Sequence, residues 1–274
     1  MKLEQLLEGV PFTLVQGSLD TEVQDIIYDS RKAAPGLAFV CIVGTQRDSH
    51  EFAADCAAKG VSVLVIQHDI DLSTLPGVTV VKVESSRYAM ALMSANLFGN
   101  PARQMTMIGV TGTKGKTTTS YFTQALINAV SGGKAALFSS VDNCLDGHTY
   151  VESDLTTPES MDAFRMMREA ADNGMKYLVM EVSSQAYKVD RVYGLTFDVA
   201  AFLNISPDHI SPIEHPTFED YLYCKRQIVR NSRALVLGAA SDHADLLRRE
   251  QIHRRNAGSV PGADLHSVLV LSDH

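Results

Sequence analysis

The chain has no tryptophan, and its four cysteines, Cys41, Cys56, Cys144 and Cys224, stand far apart in 274 residues. With no C-x-x-C pair and no metal-ligand spacing, neither a disulfide framework nor a structural zinc site can be read from them, and each is expected to be a small buried residue in a reducing, cytoplasmic compartment. A run of about 18 apolar residues is also missing, so no membrane-spanning helix is expected. The opening Met-Lys-Leu-Glu-Gln-Leu-Leu-Glu-Gly carries acids where a secretory signal needs an apolar core. Basic residues are in deficit, 24 Lys and Arg against 32 Asp and Glu, for a formal net charge of −8. That balance argues against a nucleic-acid or anionic membrane surface, so any phosphate ligand must be met by a few placed positive groups. Internal repeats and low-complexity tracts are absent.

What is present is organised around Met105-Thr-Met-Ile-Gly-Val-Thr-Gly-Thr-Lys-Gly-Lys-Thr-Thr-Thr-Ser120, which reads as a buried strand, a glycine turn and the start of a helix. Gly112 and Gly115 let the backbone approach an anion, the N–H groups at the helix start point at it, Lys116 adds a point charge and Thr117 offers a hydroxyl to Mg²⁺. The strict G-x-x-x-x-G-K-[ST] pattern is not met, because Val110 stands five before Gly115. A glycine turn with a solvated lysine is the plainer alternative; Gly-Lys-Thr directly after an apolar strand favours a nucleotide triphosphate site.

Residues 1 to 103 read as a small α/β unit: a helix at Leu3 to Leu7, β-branched runs at Asp25 to Tyr28, Leu37 to Val43, Val61 to Ile66 and Val78 to Val83, and helical spacing at Glu51 to Lys59 and Ser85 to Phe98. Gly99-Asn-Pro101 is a stop signal and opens a linker to Arg103. From 104 onward strands and helices alternate: Met105 to Val110, Lys116 to Val130, Ala135 to Phe138, Pro158 to Asn173, Tyr177 to Met180, Phe197 to Leu203, Phe218 to Asn231 and Ala234 to Leu237. Near-continuous apolar strands in such an alternation predict a parallel sheet covered on both faces, with ligands at the carboxyl ends of its strands. Glu181 follows one strand and Asn204-Ile-Ser-Pro-Asp-His209 another, which makes Glu181 and His209 candidates beside a nucleotide's Mg²⁺, although a capping glutamate and a structural histidine are the plainer readings. Thr217-Phe-Glu-Asp220 starts a helix like a capping box, and Tyr221 and Lys225 then share one face. A lysine beside a divalent cation can add CO₂ to become a carbamate ligand, but sequence alone does not select that over a solvated helix residue.

Thr111-Gly-Thr-Lys-Gly-Lys-Thr-Thr-Thr119 resembles the loop of the Mur ligases and of folylpolyglutamate synthetase. The order and spacing of Asp29-Ser-Arg31, Met180-Glu-Val-Ser-Ser184, Arg191-Val-Tyr-Gly194, Asn204-Ile-Ser-Pro-Asp-His209 and Tyr221-Leu-Tyr-Cys-Lys225 resemble the Mur ligases from about Asp25 to Val236, and among them those that add a diamino acid to UDP-MurNAc-L-Ala-D-Glu in peptidoglycan precursor synthesis. The resemblance implies an α/β protein: an amino-terminal UDP-sugar-binding domain (1–103), then a P-loop parallel-sheet ATP-binding domain (104–274) that is incomplete at its carboxy end.

It further implies that Gly112, Thr113, Lys114, Gly115, Lys116, Thr117 and Thr118 hold the ATP phosphates, and that Thr117, Glu181 and His209 serve Mg²⁺. Two Mg²⁺ ions are implied, with Lys225 as a carbamylated lysine completing the second metal site, and Lys116, His209 and Lys225 as the catalytic set. Ser30, the loop Thr45 to Gln46, Thr156, Thr157, Ser183 and Arg191 are the implied substrate contacts. Gln185, Val189 and Ser49 depart from residues common in the family. The stretch Phe202 to Tyr221 is similar to the lysine-adding members, so L-lysine is expected over meso-diaminopimelate. A monomer with no nucleic-acid or membrane partner is expected. The chain stops before the family's third domain, leaving either a ligase portion or a binding protein that does not turn over. The cluster Arg248, Arg249, Arg254 and Arg255 reads as a solvated or frayed helix rather than a nucleic-acid patch.

Overall fold

The computed structural model describes residues 1–44, 47–238 and 268–270. Thr45, Gln46 and the arginines at 248, 249, 254 and 255 therefore lie outside the described residues. Two compact units emerge, one of Met1–Asn100 with Ser160–Arg165, the other of Pro101–Glu159 with Met166–His274.

The first unit runs α1 (Leu3–Leu6), β1 (Phe12–Gln16), β2 (Asp25–Ile27), β3 (Leu37–Val40), α2 (Ala53–Ala58), β4 (Val63–Ile66), β5 (Thr79–Val83) and α3 (Ser86–Leu97). Its five strands lie in the order β1-β5-β4-β3-β2, parallel except for β1, which runs antiparallel to β5. The inner strands are buried on both faces, as their unbroken Val-Leu-Val-Ile and Leu-Ala-Phe-Val sequences demand. Val40, Val63, Val65 and Val81 pack with Leu6 and Met90 on one side, while Phe39, Leu64, Ile66 and Val80 pack with Cys56 and Leu75 on the other. Strand β1 has no counterpart in the sequence reading: Phe-Thr-Leu-Val-Gln lies at the sheet edge with its three central residues exposed, so no burial period marks it.

The second unit runs β6 (Thr106–Thr111), α4 (Lys116–Ser131), β7 (Ala135–Phe138), β8 (Asp142–Cys144), β9 (Tyr150–Glu152), α5 (Ser160–Asp172, whose first residues cluster with the other unit), β10 (Tyr177–Glu181), α6 (Ser184–Lys188), β11 (Phe197–Phe202), α7 (Phe218–Arg230), β12 (Ser232–Leu237) and β13 (Val268–Val270). The sheet order is β13-β12-β11-β6-β10-β7-β8-β9, parallel through β7 and finished by the antiparallel β8–β9 pair. Strand β6 is central, and the chain leaves it toward β7 on one side before returning to β11 on the other. Its carboxyl end is therefore a topological switch point, the place where such sheets bind ligands.

Close packing holds β6 there. A Cβ at Gly109 would meet ring atoms of the buried Phe197 at 2.8–3.0 Å. Gly109→Ala is expected to cost about 1–3 kcal/mol, read as a lower midpoint in urea at an unchanged slope. All four cysteines are buried and free, and among the described residues no helix is long and apolar enough to cross a membrane.

Candidate functional site at the end of strand β6

Gly112 to Gly115 join β6 to α4, with Gly115 as the helix N-cap in the left-handed region (φ 83°) and no side chain capping the helix. The first-turn N–H groups of α4 have no intrahelical acceptor, so this end of the helix offers donors and a positive partial charge to an anion. Gly112 suits glycine, because its φ of 154° is one that other residues rarely adopt and a Cβ there would stand 3.0 Å from the Leu203 Cβ. From the other side Asn204 braces the loop. Its Oδ1 accepts from the N–H groups of Thr113 (3.1 Å) and Lys114 (3.0 Å), and its Nδ2 donates to the Lys114 carbonyl (3.0 Å).

Two lysines converge on one carbonyl. The Gly112 oxygen accepts from Lys116 Nζ at 3.0 Å and from Lys225 Nζ at 2.9 Å. Lys225 is 2% exposed, on the inner face of α7 with its Nζ 4.9 Å from the Tyr221 ring centroid. Burial first, and then the charge of Lys116, push its amine down to about 7. Burial likewise lowers Lys116. A substantial neutral fraction of Lys225 at physiological pH is the state that CO₂ addition requires.

Glu181, the last residue of β10, is fully buried. Its Oε2 accepts from the Thr117 hydroxyl (3.2 Å) and its Oε1 from the Ser140 N–H (3.1 Å), while Thr117 and Ser140 hydroxyls meet at 3.0 Å. Burial raises its carboxyl above the usual range. A carboxylate and a hydroxyl side by side at the mouth of a phosphate loop form a hard-oxygen donor set that a divalent cation would relieve of its desolvation cost, so these residues fit Mg²⁺.

The other candidates fall into three places. Thr157 is buried and donates to the Glu181 carbonyl (2.9 Å), the Ser183 N–H donates to Thr157 Oγ1 (3.0 Å), and Arg191 donates to the Thr157 carbonyl (3.3 Å) while pairing with Glu159 (2.9 Å). Thr157, Ser183 and Arg191 are thus one network beside Glu181, with Thr156 half-buried next to it. Lys114 is exposed and pairs with Asp208 (3.0 Å), and Thr118 is exposed on the first turn of α4. His209 is exposed, with φ 56°, and its Nδ1 faces the Glu214 carboxylate at 3.2 Å. Its contacts are with Glu214 and the Tyr221 ring, whereas Thr117 and Glu181 bond each other. In the first unit Ser30 opens a turn capped by Asp29, and its carbonyl accepts from Lys59 (3.1 Å).

Sequence reading missed Asn204 as the brace, Ser140 as a partner of Glu181, and His215. The signals were weak: Asn204 stands directly after a strand, and His215 and Asp220 flank the Thr217 N-cap five residues apart.

The first unit also holds a cluster of ligand-type side chains, Asp48, His50 and His68. His50 Nε2 accepts the Gln67 N–H (2.9 Å), so its proton sits on Nδ1 toward Asp48 Oδ1, leaving no lone pair for a metal. Asp48 Oδ2 meets His68 Nε2 at 2.7 Å, and the two rings stack at 3.8 Å. Burial lowers His50, whereas the bond to Asp48 raises His68. A raised histidine contributes stability below its unfolded-state value and loses it as pH climbs through the folded one. The Tm advantage of wild type over His68→Gln should accordingly shrink between pH 6 and pH 9.

The family model for the Mur ligase middle domain matches residues 110–259. The chain belongs to the Mur ligase family. This Mur ligase chain is 69% identical over 233 residues to a UDP-N-acetylmuramyl-tripeptide synthetase of Bifidobacterium longum, a match covering 85% of the chain and 44% of that relative. It is 44% identical over 253 residues to the synthetase of the same name from Lactococcus lactis, covering 92% and 50%. With a UDP-N-acetylmuramoyl-L-alanyl-D-glutamate–L-lysine ligase of Streptococcus pyogenes it shares 46% over 220 residues, covering 80% and 44%. The chain spans about half the length of the curated relatives it matches. A solved UDP-N-acetylmuramoyl-L-alanyl-D-glutamate–2,6-diaminopimelate ligase superimposes with a TM-score of 0.75 at 18% identity, over 99% of this chain and 52% of that one. MurF from Acinetobacter baumannii gives 0.64 at 21%, over 99% and 52%. Both establish the fold.

Proposed function

We propose that this chain is the UDP-sugar-binding and ATP-handling portion of a ligase that joins a diamino acid, L-lysine in preference to meso-diaminopimelate, to UDP-MurNAc-L-Ala-D-Glu. The observation that carries the reading is the convergence of Lys116 and Lys225 on the Gly112 carbonyl beside the buried Glu181–Thr117 pair. The names of the relatives supply the substrate class, and the lysine ligase among them, with the stretch Phe202 to Tyr221, supports lysine. Residues 1–103, with Ser30 and the loop at 45 and 46, are assigned the uridine end, and 104–274 the nucleotide.

A carboxylate resists amine attack because its charge repels the nucleophile and oxide is a poor leaving group. ATP removes that obstacle: a substrate carboxylate oxygen attacks the γ-phosphorus, ADP leaves, and the acyl phosphate is then attacked by the amine, which loses a proton as phosphate departs. Gly112 to Thr118 bind and orient the phosphates, and Lys116 stabilises charge developing on the transferred group. Thr117 and Glu181 would hold Mg²⁺, with His209 and a carbamylated Lys225 as the further ligands that the family resemblance implies, and the bound ion would supply charge neutralisation for the transferring phosphoryl group. Thr157, Ser183 and Arg191 position the acceptor carboxylate.

The test is titration of the 274-residue chain with ADP and with UDP-MurNAc-L-Ala-D-Glu, followed by an assay for ADP and tripeptide with each amino acid. Binding of both ligands is expected, and tripeptide formed from one amino acid fixes the preference. Binding of both without tripeptide would leave a binding portion that does not turn over; binding of neither overturns the reading.

A further inference from the structure

We propose that His215 is a positioning residue for the nucleotide site, acting through Tyr221 on the phosphate loop and on Lys225. The inference rests on the ligase reading above and names a residue that reading does not use. His215 is fully buried between two helices and tied at both ends: Nδ1 meets Asp220 Oδ2 at 2.7 Å, and Nε2 meets the Ser184 hydroxyl at 2.8 Å. With the carboxylate accepting, the neutral ring carries its proton on Nδ1, and Nε2 accepts from Ser184. Asp220 is held in turn by Lys188 at 3.0 Å, so the first turn of α7 and the two ends of α6 are locked to one imidazole. The Ser-His-Asp order resembles a nucleophile triad, but Ser184 is 4% exposed and His215 0%, so no substrate reaches the hydroxyl.

The far side of the ring shows what the lock serves. His215 packs edge-on against Tyr221, centroids 5.3 Å apart at 70°. Tyr221 is itself fully buried, and its hydroxyl meets Thr113 Oγ1 at 3.0 Å inside the phosphate loop. The same Thr113 oxygen is tied to the Ser206 backbone, accepting its N–H at 3.0 Å. The Tyr221 ring also lies against the Lys225 amine. A shift of His215 therefore moves the ring that fixes both Thr113 and Lys225. An apolar side chain of the same size would fill the space but leave the Ser184 hydroxyl buried without a partner and Asp220 tied to α6 through Lys188 alone.

The experiment compares ADP affinity, UDP-MurNAc-L-Ala-D-Glu affinity and Tm for wild type, His215→Ala, His215→Asn, Ser184→Ala and Tyr221→Phe. His215→Ala and Ser184→Ala should weaken ADP by about tenfold, with the UDP-sugar affinity unchanged within about twofold. His215→Asn, whose amide N–H can still donate to Asp220, should recover ADP binding to within about threefold of wild type. Tyr221→Phe, which keeps the ring and loses only the Thr113 bond, should cost about threefold to tenfold. If the histidine and serine variants melt earlier yet bind ADP like wild type below their Tm, the residue is merely structural and the inference fails alone. A wild-type chain that does not bind ADP sinks the ligase reading together with it. Should His215→Ala not fold, Ser184→Ala and Tyr221→Phe decide by the same criteria.

Discussion

Lys225→Met is expected to remove on the order of 10²–10³ of ATP turnover in an active ligase, with ADP binding reduced far less and no rescue by Lys225→Arg. The amine sits against the Gly112 carbonyl at the point where the phosphate loop leaves β6, so its loss strips charge from the place where phosphoryl transfer is proposed. Arginine fails because a guanidinium is bulkier than the amine it replaces at a position only 2% exposed, and because it neither loses its proton nor forms a carbamate. The same variant has a second, activity-independent signature. Lys225 is lowered to about 7 in the folded protein, mainly by burial, against about 10.4 when unfolded. Between those values the unfolded chain binds more protons, so stability rises with pH; below about 7 the folded protein bears the full cost of an unfavourable buried charge. Relative to Lys225→Met, the wild-type protein should gain stability from pH 7 to pH 10, by up to a few kcal/mol as an order of magnitude. A flat difference across that range would mean that the amine is not desolvated in solution.

The elements that sequence revealed are those whose burial repeats over several residues. Strands β6, β7, β10 and β11 are apolar runs flanked by glycine or polar turns, and their ends brought Gly112, Glu181 and His209 into view as places to look. The elements it missed lack that repetition. Strand β1 lies exposed at an edge, and β8 and β9 are three residues each, too short to show a period of two. Helix α6 is five residues long and capped by Ser183, so no helical spacing announces it. The candidate site divides similarly. Lys116 and Thr117 are legible from a local motif, because the phosphate loop is continuous in sequence. The partners that give those residues their electrostatic character are not: Ser140 reaches Glu181 from 41 positions away and Lys225 reaches Gly112 from 113. His215 reads locally as a histidine beside a helix cap, and only tertiary packing against Ser184 and Tyr221 sets it apart.

Glu181→Gln should separate stability from activity in a single substitution. The carboxyl is fully buried and raised above its ordinary value by desolvation, which the bonds from Ser140 and Thr117 and the charge of Lys116 do not offset. A raised acid binds more protons folded than unfolded, so its contribution to stability falls as pH climbs from the unfolded-state value toward the folded one, and the penalty stands in full above both. Glutamine keeps the shape without a charge to bury: its amide oxygen can accept from the Ser140 N–H and its amide N–H can donate to the Thr117 hydroxyl. The variant is therefore expected to melt no lower than wild type at pH 7, with a difference that moves in the variant's favour as pH rises from about 4.5. In an active ligase its turnover should nevertheless fall by on the order of 10²–10³, and the Mg²⁺ concentration needed for half-maximal rate should rise, because an amide oxygen is a weaker ligand for a hard cation than a carboxylate. A lower melting temperature with unchanged magnesium dependence would assign Glu181 to holding Ser140 and Thr117 in place. A carboxylate kept buried at a stability cost, beside an uncapped helix end and two lysines, is what the proposed cation and phosphate site predicts.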